Sequence, residues 1–232
     1  VNPVHVEGMA TVQESVDDQR GIRTIILSDI RSDITVGFDG YSLWVTNTYQ
    51  IDDISGPSTL VKNAGFGNIC VTRMKVDGQE VTPAETFQFS EPGIHTARFA
   101  FIPDSGYGRD TIWFFVAEAA FNGISSLIET HIPEGYTKLR NRTYSDCTNL
   151  RTVHLPTTVT SMGYGTFYRC TSLTEITFPE KIEKFGYQQC YGCTNLTSVN
   201  LPPDLKEIAN SAFESCTKLH EIEIPESVTS IG

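Results

Sequence analysis

Two sets of side chains in this sequence have types and spacings that could do chemistry. Cys190-Tyr191-Gly192-Cys193 has the C-x-x-C spacing used for redox work or for half of a zinc site. His131 and His154, with Glu129 two positions before the first, are residue types that share a transition metal when a fold brings them together. Each set also has a plainer reading. No second C-x-x-C exists to complete a zinc set, and a small thiol packs well as a buried apolar plug. The two imidazoles fit an ordinary solvated sheet face, since nothing in the sequence fixes their ring orientation from behind. The other histidines, His5, His95 and His220, are scattered, and no G-x-S-x-G elbow, phosphate loop or G-x-G-x-x-G fingerprint occurs. The expectation is a chain with no catalytic residue, no cofactor and no bound metal.

What must position these residues is a repeat. Proline falls at Pro133, Pro156, Pro179, Pro202 and Pro225, a step of 23 residues each time. Leu127, Leu150, Leu173, Leu196 and Leu219 keep the same step, as do Cys147, Cys170, Cys193 and Cys216 with Ile124 in the first place. Phe121, Tyr144, Phe167 and Phe213 follow it too, with Cys190 standing where the fourth ring belongs. A fixed period of this length marks a solenoid, whose units cannot bury their own apolar face and therefore stack. In Leu196-Thr197-Ser198-Val199-Asn200-Leu201 the apolar positions alternate inward on a short strand while Thr197, Ser198 and Asn200 face out. Proline then ends the strand, because it has no N–H to give to a ladder. The stacked cysteines cannot pair as disulfides, because parallel Cα–Cβ vectors hold their sulfurs a rung apart.

The unit reads aromatic-x-x-Cys-x-x-Leu-x-x-Val/Ile-x-Leu/Ile/Phe-Pro and closes on an apolar residue and glycine. It resembles the leucine-rich repeats of the BspA-like class, in which Ile-Gly-x-x-Ala-Phe-x-x-Cys-x-x-Leu-x-x-Ile-x-Ile-Pro-x-x-Val recurs. Residues 208–228, IANSAFESCTKLHEIEIPESV, depart from that pattern only by Ala209 in place of glycine. A second resemblance covers residues 74–101, where Asp77-Gly78, Thr86-Phe87-Gln88-Phe89 and Gly93-Ile94-His95-Thr96 match a segment that often precedes such repeats in bacterial proteins. The resemblance implies a leucine-rich-repeat solenoid with a parallel sheet face, in a non-enzymatic protein of the bacterial surface or secreted by it. It also implies adhesion to a protein partner, for example one of the host extracellular matrix. The alternative is a carbohydrate-binding surface protein.

Composition limits the partners. The formal charge is −11. Through residue 118 there are 16 acidic against 8 basic residues, and beyond it 12 against 9, so the acidity lies mainly in the front half. Neither half has the basic stripe that nucleic acid requires. No run is long and apolar enough to span a bilayer. The sequence opens on Val1 without an initiator methionine or signal peptide, which is compatible with a processed export protein at the outer cell surface or beyond it.

Ahead of the repeats, residues 1–103 read as antiparallel strands at 24–27, 34–38, 42–46, 69–76, 85–89 and 95–102, with Asp39-Gly40 and Asp77-Gly78 as turns. Six or seven such strands predict an immunoglobulin-like sandwich. Residues 104–119 then form a linker and a half-repeat cap. Trp113 and Val116 stand one period before Tyr136 and Leu139, and bulky Ile112-Trp113-Phe114-Phe115 would cover the first full rung. The solenoid proper occupies 120–232 in about five units, with the first the most degraded and the last truncated. Its final edge predicts end-to-end self-association. Tyr187 or Tyr191 is expected to supply the ring missing at Cys190.

Binding is expected on the outward sheet columns. His131, His154, Thr177, Asn200 and Glu223 form one column, and Glu129, Thr152, Glu175, Ser198 and Glu221 the next. Side chains there can change without touching the core, and the face turns acidic at Glu221 and Glu223, favouring a basic or polar partner. For a glycan, the clustered aromatic candidates are Tyr41, Trp44 and Tyr49.

Overall fold

The computed structural model describes residues 4–7, 11–17, 22–28, 35–38, 44–62, 71–101 and 115–232. The chain forms two compact units, Val1–Ser42 and Leu43–Gly232. In the first, β1 (Val4–Glu7) pairs antiparallel with β4 (Thr35–Phe38), and β2 (Thr11–Asp17) pairs antiparallel with β3 (Ile22–Ser28).

The second unit begins with β5 (Trp44–Ile51), β6 (Ser58–Thr59), β7 (Val71–Val76), β8 (Gln79–Val81), β9 (Thr86–Phe87) and β10 (Gly93–Phe101). Its repeat part contributes the longer strands β12 (Leu127–His131), β14 (Thr152–His154), β16 (Glu175–Thr177) and β18 (Ser198–Asn200). Between them lie two-residue strands, β11 (Phe115–Val116), β13 (Lys138–Leu139), β15 (Ser161–Met162), β17 (Lys184–Phe185), β19 (Glu207–Ile208) and β20 (Ser230–Ile231). The repeat strands pair in parallel and in register as β12-β14, β16-β18, β11-β13-β15 and β17-β19-β20, Leu139 on Met162 and Ile176 on Val199 one period apart, with a break in each ladder between the second and third full units. Each turn of the coil therefore presents two short ladders, one for each kind of strand.

Like side chains lie on top of one another, as the period demands. Leu127, Leu150, Leu173 and Leu196 are all fully buried. The rings of Phe121 and Tyr144 stack with centroids 5.2 Å apart, and Tyr144 and Phe167 continue at 5.8 Å. Each ladder cysteine donates its thiol to a carbonyl on the neighbouring rung. Cys147 reaches Phe121 O at 2.9 Å, and Cys170, Cys193 and Cys216 reach Tyr144 O, Phe167 O and Cys190 O at 3.1 Å. Each of these carbonyls also accepts a backbone N–H from its own rung, so the thiol is a second donor that fills the remaining lone pair, which a valine could not do.

The backbone repeats its strain as well. Ala119, Arg142, Gly165, Gln188 and Ser211 form one column of left-handed residues with φ between 52° and 59°. Gly123, Asp146, Arg169, Gly192 and Ser215 form another, with φ between 55° and 70°. These two kinks per unit turn the chain sharply enough to close a rung without a helix.

An immunoglobulin-like sandwich over residues 1–103 is not confirmed. Among the described residues β1–β4 belong to the first unit, and β5 joins a six-stranded sheet in the order β14-β12-β5-β10-β7-β8. β12 runs parallel to β14 on one side and antiparallel to β5 on the other. The physical reason lies in the alternation of β5: Val45, Asn47, Tyr49 and Ile51 are buried while Trp44, Thr46, Thr48 and Gln50 are half-exposed. Its inward side chains pack on the first rungs, so the apolar face of β5 is covered by the solenoid. A single buried cluster runs from Val45 through to Cys216.

β11 pairs in parallel with β13, Val116 standing on Leu139 in register. The first rung is thus flanked by β11 along one ladder and by β5 along the other. Residues 103–110, expected as a linker, lie outside the described residues, as do Ile112, Trp113, Phe114 and the Asp39-Gly40 turn. The Asp77-Gly78 turn joins β7 to β8 in a tight hairpin, with φ of 47° and 80° at its two residues.

The ring missing at Cys190 comes from neither Tyr187 nor Tyr191. Tyr187 is half exposed, and Tyr191 stacks on Tyr168 outside the core at 5.0 Å. Phe185, buried in the same unit, brings a ring to this part of the core, 4.4 Å from Phe178 and 5.9 Å from Phe213. Leu139, Met162 and Ile208 occupy the equivalent position in other units, so a larger residue at one inward site offsets a smaller one at the next. Gln189, beside Cys190, is fully buried and neither atom of its amide has a hydrogen-bond partner.

Candidate interaction surface

The outward columns form in space. Glu129 stands beside Thr152 and His131 beside His154 across β12 and β14, and Glu175 beside Ser198 and Thr177 beside Asn200 across β16 and β18. All but half-buried Glu129 are exposed. Glu221 and Glu223 follow one period on, also exposed, in a stretch that is not a strand. The columns are held by light contacts only: Asn200 Nδ2 donates to Thr177 Oγ1 at 2.9 Å, and the rings of His131 and His154 lie 5.5 Å apart. His154 Nε2 reaches Glu129 Oε1 at 3.3 Å. Among the described residues, no group of three or more His, Cys, Asp or Glu is placed to hold a metal ion.

The other chemical candidates are absorbed by structure. Cys147, Cys170, Cys190, Cys193 and Cys216 are free and buried. Burial pushes Cys147 and Cys216 up to about 12 and raises Cys170 and Cys190 well above the usual thiol range. A thiol held protonated in this way is a poor nucleophile and a poor metal ligand. His95 uses both ring nitrogens locally, Nδ1 on Asp77 Oδ2 at 2.8 Å and Nε2 on Glu91 O at 3.1 Å, while its ring packs 4.1 Å from Phe89. It clamps the β7–β8 turn against β10.

Of the aromatic residues expected to offer a glycan platform, Tyr49 is fully buried and its hydroxyl donates to Leu60 O at 2.6 Å. Burial raises its pKa well above the usual phenol value. Tyr41 lies outside the described residues. Trp44 remains half-exposed on the outer face, with Arg73, Lys75 and Arg98 each over its ring at 5.4, 5.4 and 5.6 Å. Arg73 also grips Glu80 through two hydrogen bonds of 2.8 and 3.2 Å, and that hydrogen bonding holds the Glu80 carboxyl below its ordinary value.

A model of the BspA type leucine-rich repeat region matches residues 115–232 in 6 copies, just over half of the chain. The chain belongs to the BspA-type leucine-rich repeat family. Similar solved structures include a leucine-rich repeat protein of T. pallidum, 26% identical with a TM-score of 0.42, over 51% of this chain and 66% of that one. A leucine-rich cell surface protein of Faecalibacterium prausnitzii is 27% identical with a TM-score of 0.45, over 51% of this chain and 32% of that one. A leucine-rich repeat protein of Bacteroides ovatus is 24% identical with a TM-score of 0.36, over 51% of this chain and 43% of that one. The BspA-type chain thus spans less than two thirds of the length of each. No curated protein matches it.

Family and fold are those of repeat proteins that generally hold other molecules and do not transform them. Among the described residues of the BspA-type chain, no helix is long and apolar enough to cross a membrane. Two surface features went unread in the sequence. One is the set of cations around Trp44. The other is a group of four tyrosines on adjacent rungs: Tyr164 and Tyr187 are 41% and 50% exposed, and Tyr168 and Tyr191 stack beside them. Their spacing of 23 residues was the signal for the second. The first had none, because residues 44, 73, 75 and 98 meet only through antiparallel pairing of β5, β10 and β7.

Proposed function

We propose that this chain is a non-enzymatic interaction protein of the bacterial surface or of the surrounding medium, and that its outer sheet columns hold a protein partner. The observation that supports this reading is the division of labour within each rung. Leu173 and Ile176 are buried, while Glu175 and Thr177 between and beyond them are exposed, in register with Ser198 and Asn200, and have no part in the core. A ladder of this kind gives a broad, shallow surface whose chemistry can vary freely, which suits macromolecular partners better than small molecules. Glu129, His131, Thr152, His154, Glu175, Thr177, Ser198, Asn200, Glu221 and Glu223 are the contact residues of this reading, and host extracellular-matrix proteins are the partners of first choice.

A screen against immobilised matrix proteins tests it. Saturable binding should fall at least tenfold when Glu175, Glu221 and Glu223 are all replaced by Lys. Binding that is unchanged by the triple replacement would remove the outer columns from the interface.

A further inference from the structure

Beyond the repeats, the same sheet carries cations that a protein partner on the columns does not use. Read straight across the strands, the directly opposed residues are His154 on β14, His131 on β12, Thr46 on β5, Arg98 on β10 and Lys75 on β7. Four strand spacings separate the ends of this row, about 19 Å. Trp44 lies beside it on β5, and the side chains of Arg73, Lys75 and Arg98 converge on the indole. Of the three cations around the ring, Arg73 holds Glu80 at 2.8 Å. Arg98 makes no ion pair among the described residues.

We propose that this row is the binding site of a linear polysaccharide bearing carboxylate or sulfate groups. Several features favour that occupant. The chain as a whole carries a charge of −11, so a local excess of exposed cations marks a place where an anion, and not a cation, is to be received. Arg98 and Lys75 are exposed and half-exposed, and the guanidinium offers two parallel donors to a carboxylate or sulfate. Thr46 and the imidazoles of His131 and His154 extend the line of polar groups beyond Arg98 at the same spacing, His154 Nε2 lying 3.3 Å from Glu129 Oε1 at its far end. The ring of Trp44 fixes the directions of the cations by cation–π contact, so their freedom is already reduced before a ligand arrives. The row is a single line of polar side chains beside one indole, which offers little apolar area to anchor a folded acidic protein. Nucleic acid would need basic groups over a much wider area than this row provides.

The row shares His131 and His154 with the columns assigned to a protein partner, but its cations Arg73, Lys75 and Arg98 and the indole of Trp44 all precede the repeats, so the two readings can be tested apart. The test is a titration of the whole chain with dextran sulfate, polygalacturonate, uncharged dextran and poly-L-glutamate at low ionic strength. At least one acidic polysaccharide should bind saturably, with uncharged dextran and poly-L-glutamate at least tenfold weaker. Arg98→Glu with Lys75→Glu should weaken the polysaccharide at least tenfold and leave matrix-protein binding through Glu175, Glu221 and Glu223 unchanged. Arg98→Gln with Lys75→Gln should show a smaller loss in the same direction, which keeps the test decisive if the charge-reversed chain fails to fold. No binding of either acidic polysaccharide overturns the proposal. Equal binding of poly-L-glutamate, or affinity that both pairs of substitutions leave unchanged, overturns it as well.

Discussion

Thr130 Oγ1 donates a hydrogen bond of 2.7 Å to Asn47 Oδ1, across 83 residues of sequence and between two fully buried side chains. The bond is one link in a chain. Tyr144 OH lies 2.9 Å from Thr130 Oγ1 and donates to it, since the threonine proton is committed to Asn47. On the other side Asn47 Nδ2 donates to Tyr49 OH at 3.1 Å, and Tyr49 OH donates to Leu60 O. Every donor in the run has an acceptor, as a buried network requires. It ties β5 and the segment around Leu60 to the first two rungs, so the front strands and the solenoid share one cooperative core.

Replacing Thr130 by Val keeps the shape and removes the hydroxyl, leaving Asn47 Oδ1 and Tyr144 OH short of partners. The expected cost is about 1–3 kcal/mol. In urea unfolding, Asn47→Ala and Thr130→Val should together cost less than the sum of the two alone, because they break the same bond. Strict additivity would mean that the two side chains do not interact.

Leu173 is fully buried in mid-ladder, and Thr177 sits exposed on the outer face of the same rung. Leu173→Ala should cost about 2–5 kcal/mol through the cavity it leaves. Thr177→Ala should stay within about 0.5 kcal/mol, since it loses only an exposed contact with Asn200. Urea midpoints for the pair check the inward and outward assignments directly.

Stability should fall steeply in alkali. Cys147, Cys170, Cys190 and Cys216, together with Tyr49, Tyr136 and Tyr144, all bind their protons more tightly folded than unfolded, because burial disfavours the anion. Above the ordinary thiol range the folded chain therefore holds more protons than the unfolded one. That stabilisation is complete below about pH 8.5 and is lost as pH rises, at about 1.4 kcal/mol per pH unit for each such group once its unfolded counterpart ionises. Urea midpoints measured from pH 7 to 11 should decline with increasing slope. The five buried thiols should react with a thiol reagent only as the chain unfolds.

Gln188 adopts φ of 55° at a position where another unit has Gly165 at 57°. A left-handed side-chain-bearing residue costs about 1–2 kcal/mol, and the extra freedom of unfolded glycine returns about 0.5–1 kcal/mol of it. Gln188→Gly should raise stability by about 0.5–1 kcal/mol, read as a higher urea midpoint. Gly192→Val should do the opposite, because Gly192 sits at φ of 70° and a Cβ there would lie 3.2 Å from Arg169 Cγ.

The repeat was legible because stacking forces one residue type to recur at one position, so Leu150, Cys170 and Pro179 announce both their period and their place. The attachment of β5 was not legible in that way, since antiparallel pairing with β12 leaves no periodic trace. A fainter mark was present. Thr130 is a polar residue in a column otherwise filled by Val153, Ile176, Val199 and Ile222, and Asn47 is polar on the inward side of an alternating strand. The degraded look of the first unit is the imprint of a different neighbour. Phe185 went unread for a related reason: the lost ring was sought next to Cys190 along the chain, whereas the compensating residue stood at another position within the same rung. Trp44 was picked out by composition, but the cations around it come from strands whose register no local pattern specifies.

The contrast between Thr130 and the rungs beyond it bears on how such a chain can lengthen or shorten over generations. Duplicating or deleting one 23-residue block after Tyr144 returns the ladder leucines, cysteines and prolines to neighbours of the kind they already had. The same event at residues 127–131 would set a valine or isoleucine against Asn47 and strand its amide without a companion. Growth is therefore tolerated on one side of the molecule only, and the junction with the front strands acts as the fixed point from which all the rungs are counted.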